Sequence, residues 1–428
     1  MSPPVTRQRL PDFLQSIGFI AWWPLWLLAV LLPFGRSAEL GTLLCLVGIV
    51  VVFCRDRATW RHDQAVRWFF VLLACYVGAA LVSSFTAVMP GKSWSTTAGL
   101  LRYLPLGLYA AYAMRGARSL HGFYAALAAV IAFWVLDAWM QMLTGWSLRG
   151  HAEPERISGL FGADDPKLGP TLAVLSPFLL WTGRQYWGRS GLILAFLLLL
   201  GPVLLSGSRS AWIGFGVVTL VFIAREAGSW LRFLAICAVC GVVLLAAGGI
   251  AWKASTRFDA RMQRTLMVFS GNEQSINEAA TGRLDIWHTG LRMIEAHPLL
   301  GVGVRGFRYA YPRYAPANDH FMVAENCGDG VGACHPHQLV MEVLAETGIA
   351  GALLWLTGVA VAIRAWRRAG KAGRASAFPL SVSLAAMLFP LNSHLAFYSA
   401  WWGLLFAWLL GLWCAALFAV AKESGDGT

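Results

Sequence analysis

Twelve apolar runs dominate this 428-residue sequence. They lie near 18–34, 38–54, 68–88, 97–114, 121–143, 168–183, 190–205, 210–225, 230–252, 347–366, 377–395 and 400–421. Crossing ~30 Å of hydrocarbon as helix takes roughly 17 to 25 residues. The sixth, seventh and eighth runs are short and closely spaced. With 57% hydrophobic and 13% charged residues and a mean hydropathy of +0.59, a water-soluble domain of this length is excluded. The expected fold is an all-α polytopic membrane protein with about twelve transmembrane helices and one large outer loop of short or amphipathic helices. The first run holds several Trp and no small-residue cleavage site follows it, so no cleavable signal peptide is expected.

Lys and Arg set the orientation, because short positively charged loops resist translocation. With the N-terminus inside, the inner segments receive eighteen of them (Arg7, Arg9, Arg55, Arg57, Arg61, Arg67, Arg115, Arg118, Arg184, Arg189, Arg225, Arg232, Arg364, Arg367, Arg368, Lys371, Arg374, Lys422). The short outer loops receive six (Arg36, Lys92, Arg149, Arg156, Lys167, Arg209). Both termini are therefore expected in the cytoplasm and residues 253–346 outside. The organisation reads as spans 1–9 over 1–252, an outer loop over 253–346 that carries the site residues, and spans 10–12 over 347–428. The net charge of +12 is mostly this orientation signal and calls for no nucleic acid partner.

Six of the eight cysteines sit in or beside apolar spans, where a thiol acts as a small hydrophobe. Cys327 and Cys334 fall in the outer loop, and an oxidising compartment joins them as a disulfide. Within that loop, 256–270 has the spacing of a surface amphipathic helix, with Phe258, Met262, Leu266 and Phe269 opposite Arg257, Arg261 and Arg264. A second helix is expected over 282–296, with Thr281 as cap, Leu284, Trp287, Leu291 and Ile294 on one face, and Arg283 toward solvent. Pro298 and the glycines of HPLLGVGVRGF end it, and irregular chain is expected from there to Cys334.

Charges inside apolar spans are expensive. Arg102 and Asp137 each lie ~7–9 Å below the outer surface at 1.5 Å per residue, where they pair, or Arg102 holds an anionic ligand. Arg209, in LLSGSRSAW, stands in a tight outer turn where backbone N–H groups also face an anion. Asp319, His320, Glu325, Asp329, His335 and His337 invite a metal reading, but none has the i, i+4 helical spacing of a strong zinc motif. No metal or other cofactor is therefore expected.

The segment HPHQLVMEVLAETGIAG sets His337-Gln338 nine residues before Gly348-Ile349-Ala350-Gly351. This resembles the signature of the O-antigen ligase and polymerase superfamily, as do SGSRSAW around Arg209, the Arg283-x-x-x-Trp287 pair and HPLLGVGVRGF. The order and topological placement of these motifs, together with twelve spans and one large outer loop late in the chain, make the match specific to the superfamily. The resemblance implies transfer of a glycan from undecaprenyl diphosphate, at the periplasmic face of the bacterial inner membrane, to lipid A-core oligosaccharide by a metal-independent inverting ligase. It implies a base at His337; guanidinium chemistry makes Arg209 and Arg283 the stabilisers of the departing diphosphate, with Arg102 a third candidate, and Arg102, Trp287, Arg305, His335 and Gln338 are expected among the substrate-binding residues. The residue types fit that chemistry. A neutral imidazole with an ordinary pKa near ~6.5 takes a hydroxyl proton, and guanidinium binds phosphate oxygens bidentately. Gly348 and Gly351 are expected to let the tenth span pack closely on a neighbour. Glu325, Asp319 and Glu342 remain alternatives for orienting the base. An O-antigen polymerase uses the same donor with another acceptor. A protein O-oligosaccharyltransferase is expected to carry a large outer domain where only a short tail is foreseen here. A transporter calls for internal repeats and mid-depth charges, which the sequence does not display.

Overall fold

The computed structural model describes residues 22–55, 63–114, 117–151, 156–162, 167–254, 280–319, 321–322, 332–390, 392 and 396–418, with scattered positions between 259 and 277. The helices are α1 (Trp23–Leu31), α2 (Glu39–Arg55), α3 (Gln64–Ser84), α4 (Pro90–Leu100), α5 (Leu104–Ala113), α6 (Ala117–Thr144), α7 (Leu168–Leu205), α8 (Arg209–Ala227) and α9 (Trp230–Ala254). After α10 (Arg283–Ala296) and α11 (Phe307–Tyr314) come α12 (Leu339–Arg368), α13 (Lys371–Ser376), α14 (Phe378–Met387) and α15 (Ala400–Phe418). The only β-structure among the described residues is a two-residue antiparallel pairing, β1 (Trp146–Ser147) with β2 (Gly150–His151).

Among the described residues, seven helical stretches are long and apolar enough to cross a membrane, and two shorter apolar helices, Trp230–Val243 and Phe378–Met387, accompany them. Two of the seven are folded back on themselves. A straight helix would set Gly183 and Ala195 ~18 Å apart. Instead a Cβ at Gly183 would lie 2.6 Å from the Gly191 carbonyl and 3.3 Å from the Ala195 side chain. The reversal is at Gly188 (φ 66°, ψ −147°), a conformation open to glycine alone. Likewise a Cβ at Gly41 would lie 2.7 Å from Leu28, because the chain turns through a 3₁₀ segment, Leu32–Ala38, between α1 and α2. The neighbouring apolar runs of the sequence are thus antiparallel halves of two hairpins.

The bundle closes around α15, whose span is 94% buried and which packs against α3, α5 and α14. With no water at that depth, polar side chains must find protein partners. Trp408 Nε1 donates to the Leu25 carbonyl (3.1 Å), Tyr124 Oη to the Ser376 carbonyl (2.9 Å) and Tyr76 Oη to the Phe397 carbonyl (2.6 Å). The segment between α9 and α12 has a small core of its own, in which Ile286, Met293, Val302, Phe307 and Tyr311 gather on Ala345 of α12. Helix α11 lies where irregular chain was expected. Its burial of Phe307, Ala310 and Tyr311 on that core explains why. Most of the expected amphipathic helix at 256–270 lies outside the described residues.

Candidate functional site

Helix α10 carries Arg283 as its first residue. Thr281 does not cap it. Gly282 occupies the cap in a left-handed conformation (φ 75°), Thr281 is itself left-handed (φ 59°), and its hydroxyl donates to the Ala280 carbonyl. The capping role passes to Asn277, whose Oδ1 accepts from Leu284 N at 3.1 Å and whose Nδ2 donates to Asp285 at 2.6 Å. The helix is also rotated from the expected face. Ile286, Thr289, Gly290 and Met293 are buried while Leu291 is 47% exposed, because α10 packs on α11 and α12 rather than lying on a surface. Arg283 is consequently drawn inward, not toward solvent. Burial first, and then the nearby guanidinium of Arg209, pull its pKa below the ordinary arginine value. Two cations from distant parts of the chain therefore lie within each other's electrostatic field.

Arg209 opens α8. Ser208 caps that helix, its Oγ accepting from Ala211 N and meeting Ser210 Oγ at 2.9 Å. The turn before it passes through left-handed Gly207 (φ 76°). This places the first turn of α8, whose amide N–H groups carry partial positive charge, at the same end of the bundle as Arg283.

Trp287, one turn after Arg283, donates its indole N–H to the Pro336 carbonyl at 2.9 Å. That bond ties α10 to the His335-Pro336-His337 turn. The two imidazoles stand with centroids 3.9 Å apart, and His337 is left-handed (φ 53°). Gln338 then caps α12 by accepting from Met341 N. Arg283, Trp287, His335, His337 and Gln338 thus form one continuous layer.

Beneath it α12 breaks at Gly348 (φ 63°, ψ −165°), and the HPLLGVGVRGF loop fills the break. Ile349 N donates to the Pro298 carbonyl (2.9 Å), Ala350 N to Leu299 (3.0 Å), Val302 N to Ala345 (2.8 Å) and Gly303 N to Glu346 (3.0 Å). Gly348 and Gly351 therefore do not serve close packing of two helices. A Cβ at Gly348 would sit 2.4 Å from Leu299 backbone, and one at Gly351 would strike Thr347 of its own helix. The loop continues to the edge of α4, where Val88 N donates to Val302 O (2.9 Å) and Ser93 Oγ to Val304 O (2.9 Å).

Arg305 enters from this loop with φ 59°. Its backbone N–H donates to Glu346 Oε2 (2.8 Å), and the Phe307 N–H to Oε1 (3.4 Å). Glu342 accepts from Phe397 N at 2.8 Å. Both carboxylates are buried. Glu346 was not anticipated as a contributor, although two acids spaced i, i+4 at the head of an apolar run are a legible signal.

Arg102 does not pair with Asp137. Its Nη2 lies 3.0 Å from Glu39 Oε1 and 2.9 Å from Tyr103 Oη, because α2 rather than α6 flanks it. Asp137 instead accepts from Leu148 N at 2.8 Å and anchors the β1–β2 turn. Asp319 is engaged by Tyr311 Oη (2.8 Å) and Phe321 N (2.8 Å). His320, Glu325 and Asp329 lie outside the described residues, and no group of three metal-ligating side chains occurs among those described. Cys334 is disulfide-bonded; its expected partner Cys327 lies outside the described residues.

Residues 194–356 match the family model described as O-Antigen ligase. The matched stretch runs from the second half of α7 into α12 and contains Arg209, Arg283, Trp287, Arg305, His335, His337 and Gln338. It supports the resemblance that the sequence motifs carry to the O-antigen ligase superfamily. No curated protein matches the chain.

Proposed function

Starting from that match and from the site it encloses, we propose that the chain is an O-antigen ligase of the bacterial inner membrane. It transfers glycan from undecaprenyl diphosphate to lipid A-core oligosaccharide. The site faces the periplasm, with the apolar runs as twelve crossings and both termini in the cytoplasm.

The observation that carries this reading is that Arg283 lies within the field of Arg209, beside the His335–His337 turn that Trp287 fastens through the Pro336 carbonyl. Two guanidiniums within each other's field oppose each other electrostatically. A diphosphate, with oxygens for both forks, turns that repulsion into attraction. As the anomeric C–O bond breaks, the electron pair leaves with the diphosphate. Fixed donors at that position act where charge grows, an arrangement that contributes roughly 10²–10³ in rate per donor. On the opposite face of the sugar, the acceptor hydroxyl oxygen forms the new bond. Its proton passes to the His337 imidazole, which contributes roughly 10²–10⁴, and the base later releases it to solvent. Attack opposite the leaving group inverts the anomeric centre. Both substrates are lipid-anchored, which accounts for a base at the mouth of α12 rather than on a domain remote from the membrane.

The test is transfer from undecaprenyl diphosphate-linked glycan to lipid A-core by purified protein with chelator present, comparing wild type with His337→Ala and Arg283→Gln. Transfer that survives chelation and is lost in both folded variants is the expected result. Near-normal activity in His337→Ala would remove the base from the mechanism. Extension of the donor glycan, without transfer to the core, would identify a polymerase.

A further inference from the structure

We propose that the groove between α12 and α14 binds an acyl chain of an anionic glycerophospholipid, whose phosphate sits at Arg367, in the leaflet away from the His337 turn. The proposal needs only a membrane-spanning chain and is independent of the ligase reading.

The register of α12 on α3 shows where the groove lies. A Cβ at Gly78 would be 3.7 Å from Leu354, and one at Gly358 would be 3.4 Å from Cys75. Further along, the Arg368 guanidinium stands 5.7 Å from the Trp68 ring. The other end of α3 leads to Val88, which is bonded to the 297–307 loop. Helix α12 therefore runs antiparallel to α3, from the loop beneath the His337 layer to the opposite end of the bundle. Helix α14 begins at that opposite end too, because Arg225, in the last turn of α8 and remote from Arg209, stands 3.9 Å over the Phe378 ring.

Helix α12 packs on α3, whereas α14 packs on α7, α8 and α15. Between them runs a cavity of about 570 Å³, within the size range of ligand sites. Trp355, Ala362 and Trp366 of α12 line it together with Leu72 of α3, Leu384 of α14 and Leu410 of α15. Two hydroxyls on its wall are turned to protein partners. Ser381 Oγ donates to the Ala377 carbonyl (2.9 Å) and accepts from Trp413 Nε1 (2.8 Å), while Tyr76 Oη is taken by the Phe397 carbonyl. An apolar gap of this kind does not order water, and at bilayer depth the filling available is hydrocarbon.

The two ends of the groove differ, and the difference selects the occupant. Toward the His337 turn it is closed by Phe397 and Tyr398, whose rings lie 4.8 and 4.9 Å from that of Tyr76. Glu342 holds the Phe397 N–H from above. At the other end is Arg367, the one charged residue on the lining. It is exposed and has no hydrogen bond or ion pair among the described residues. From Trp355 to Arg367 the helix rises ~18 Å, close to the ~15 Å of one leaflet. A chain anchored at Arg367 thus reaches the aromatic wall and stops there. Guanidinium suits a phosphate headgroup, and basic pockets between membrane helices are places where anionic headgroups collect. Arg364, Arg368, Lys371 and Arg374 add positive charge around the same helix end. A tail descending from the Arg209–Arg283 end would meet the aromatic wall first, which favours a leaflet phospholipid over the glycan donor.

Lipid-dependent melting tests this. Full-length wild type, Arg367→Gln, Ala385→Trp and Arg232→Gln are purified in nonionic detergent and stripped of lipid. Each is melted alone and with excess dioleoylphosphatidylglycerol, dioleoylphosphatidylcholine or undecaprenyl phosphate. Phosphatidylglycerol is expected to raise the wild-type melting temperature by about 5 °C or more, and phosphatidylcholine by no more than about half as much. Arg367→Gln should respond to these two lipids alike. Ala385, an exposed residue on the groove, becomes an indole that fills it, so Ala385→Trp should respond to neither by more than about 2 °C. Arg232, exposed on α9 at the same end but off the groove, is the charge control and should respond as wild type does. The proposal is overturned if wild type does not distinguish the two lipids, or if Arg367→Gln keeps the wild-type difference. It is equally overturned if Ala385→Trp keeps the phosphatidylglycerol shift, or if Arg232→Gln loses it as fully as Arg367→Gln. Undecaprenyl phosphate that stabilises wild type but not Ala385→Trp would put the donor tail in the groove and overturn it as well. Arg367→Gln removes an exposed side chain, so its lipid-free melt should stay within about 2 °C of wild type, and it decides the matter should Ala385→Trp not fold.

Discussion

Replacing Gly348 with alanine should do more damage than any other single methyl added to α12. Its backbone, at φ 63° and ψ −165°, lies in a region essentially reserved for glycine, where a residue with a Cβ incurs about 1–3 kcal/mol of strain. The new methyl would stand 2.4 Å from Leu299 C and O and 2.5 Å from Leu300 N. These are backbone atoms, which no rotamer change can move aside. Clearing them displaces the loop by about an ångström and stretches the Ile349–Pro298 and Ala350–Leu299 hydrogen bonds, at about 1 kcal/mol each. Together the cost is about 3–5 kcal/mol. Gly358→Ala is the matched control. Its Cβ would meet only Cys75 Cβ at an ordinary 3.4 Å, and a helical Gly→Ala change gains up to ~1 kcal/mol. Thermal melts of the two purified variants, alongside glycan transfer, measure the difference. Gly348→Ala should melt far below Gly358→Ala and lose transfer, since the displaced loop carries Arg305. A stability within about 0.5 kcal/mol of the control would refute the claim that the loop is keyed into a helix break.

His337→Gly removes a left-handed side-chain residue, so stability should stay within about 1 kcal/mol of wild type while transfer falls at least about 100-fold; parallel melts and rate assays check this. Trp287→Phe keeps an aromatic ring but deletes the donor to the Pro336 carbonyl, so about 1 kcal/mol of stability should be lost, and kcat should drop about fivefold with donor KM little changed. Arg102→Gln breaks an ion pair whose side chains are 37% and 34% exposed, so the melt should shift by no more than about 1 kcal/mol equivalent. Its transfer rate should remain within about threefold of wild type, and a tenfold rise in donor KM would instead put Arg102 at the donor.

The apolar runs were legible because span length and hydropathy are properties of short windows. What those windows could not display was where chain leaves a membrane and where it merely reverses. Gly35 and Gly188 fall in the short gaps between runs, where the windows place a break without showing that the chain folds back on itself as a hairpin. Arg209, Arg283 and His337 were legible for a different reason, since the order of their motifs along the chain carries long-range information. The face of α10 was misplaced because 3.6-residue periodicity assumes one apolar neighbour, whereas this helix meets α11 and α12 together. Its cap was misplaced because Asn277, six residues before the helix, did the work expected of Thr281. The Arg102–Asp137 pair failed on similar depth alone: two residues level in a bilayer touch only if their helices adjoin, and Glu39 on α2 was nearer.

Three residues with a Cβ have positive φ among those described, namely Thr281, Arg305 and His337. Each lies within two residues of a group assigned to the site or is itself one. Left-handed backbone costs roughly 1–2 kcal/mol per such residue, so its concentration in one layer requires enforcement from below. The structure supplies it at each point: Asn277 clamps the start of α10, Glu346 grips the amides around Arg305, and the Gln338 cap with the Trp287–Pro336 bond brackets His337. A helix would offer these side chains at fixed 100° intervals, pointing along its own surface. Left-handed turns aim them off that lattice, so the side chains around α10 and the head of α12 need not follow either helix's own surface. Rigidity at such turns comes from the groups that hold the backbone. For that reason Asn277, Glu346 and Trp287 should shape the rate of glycan transfer without touching either substrate.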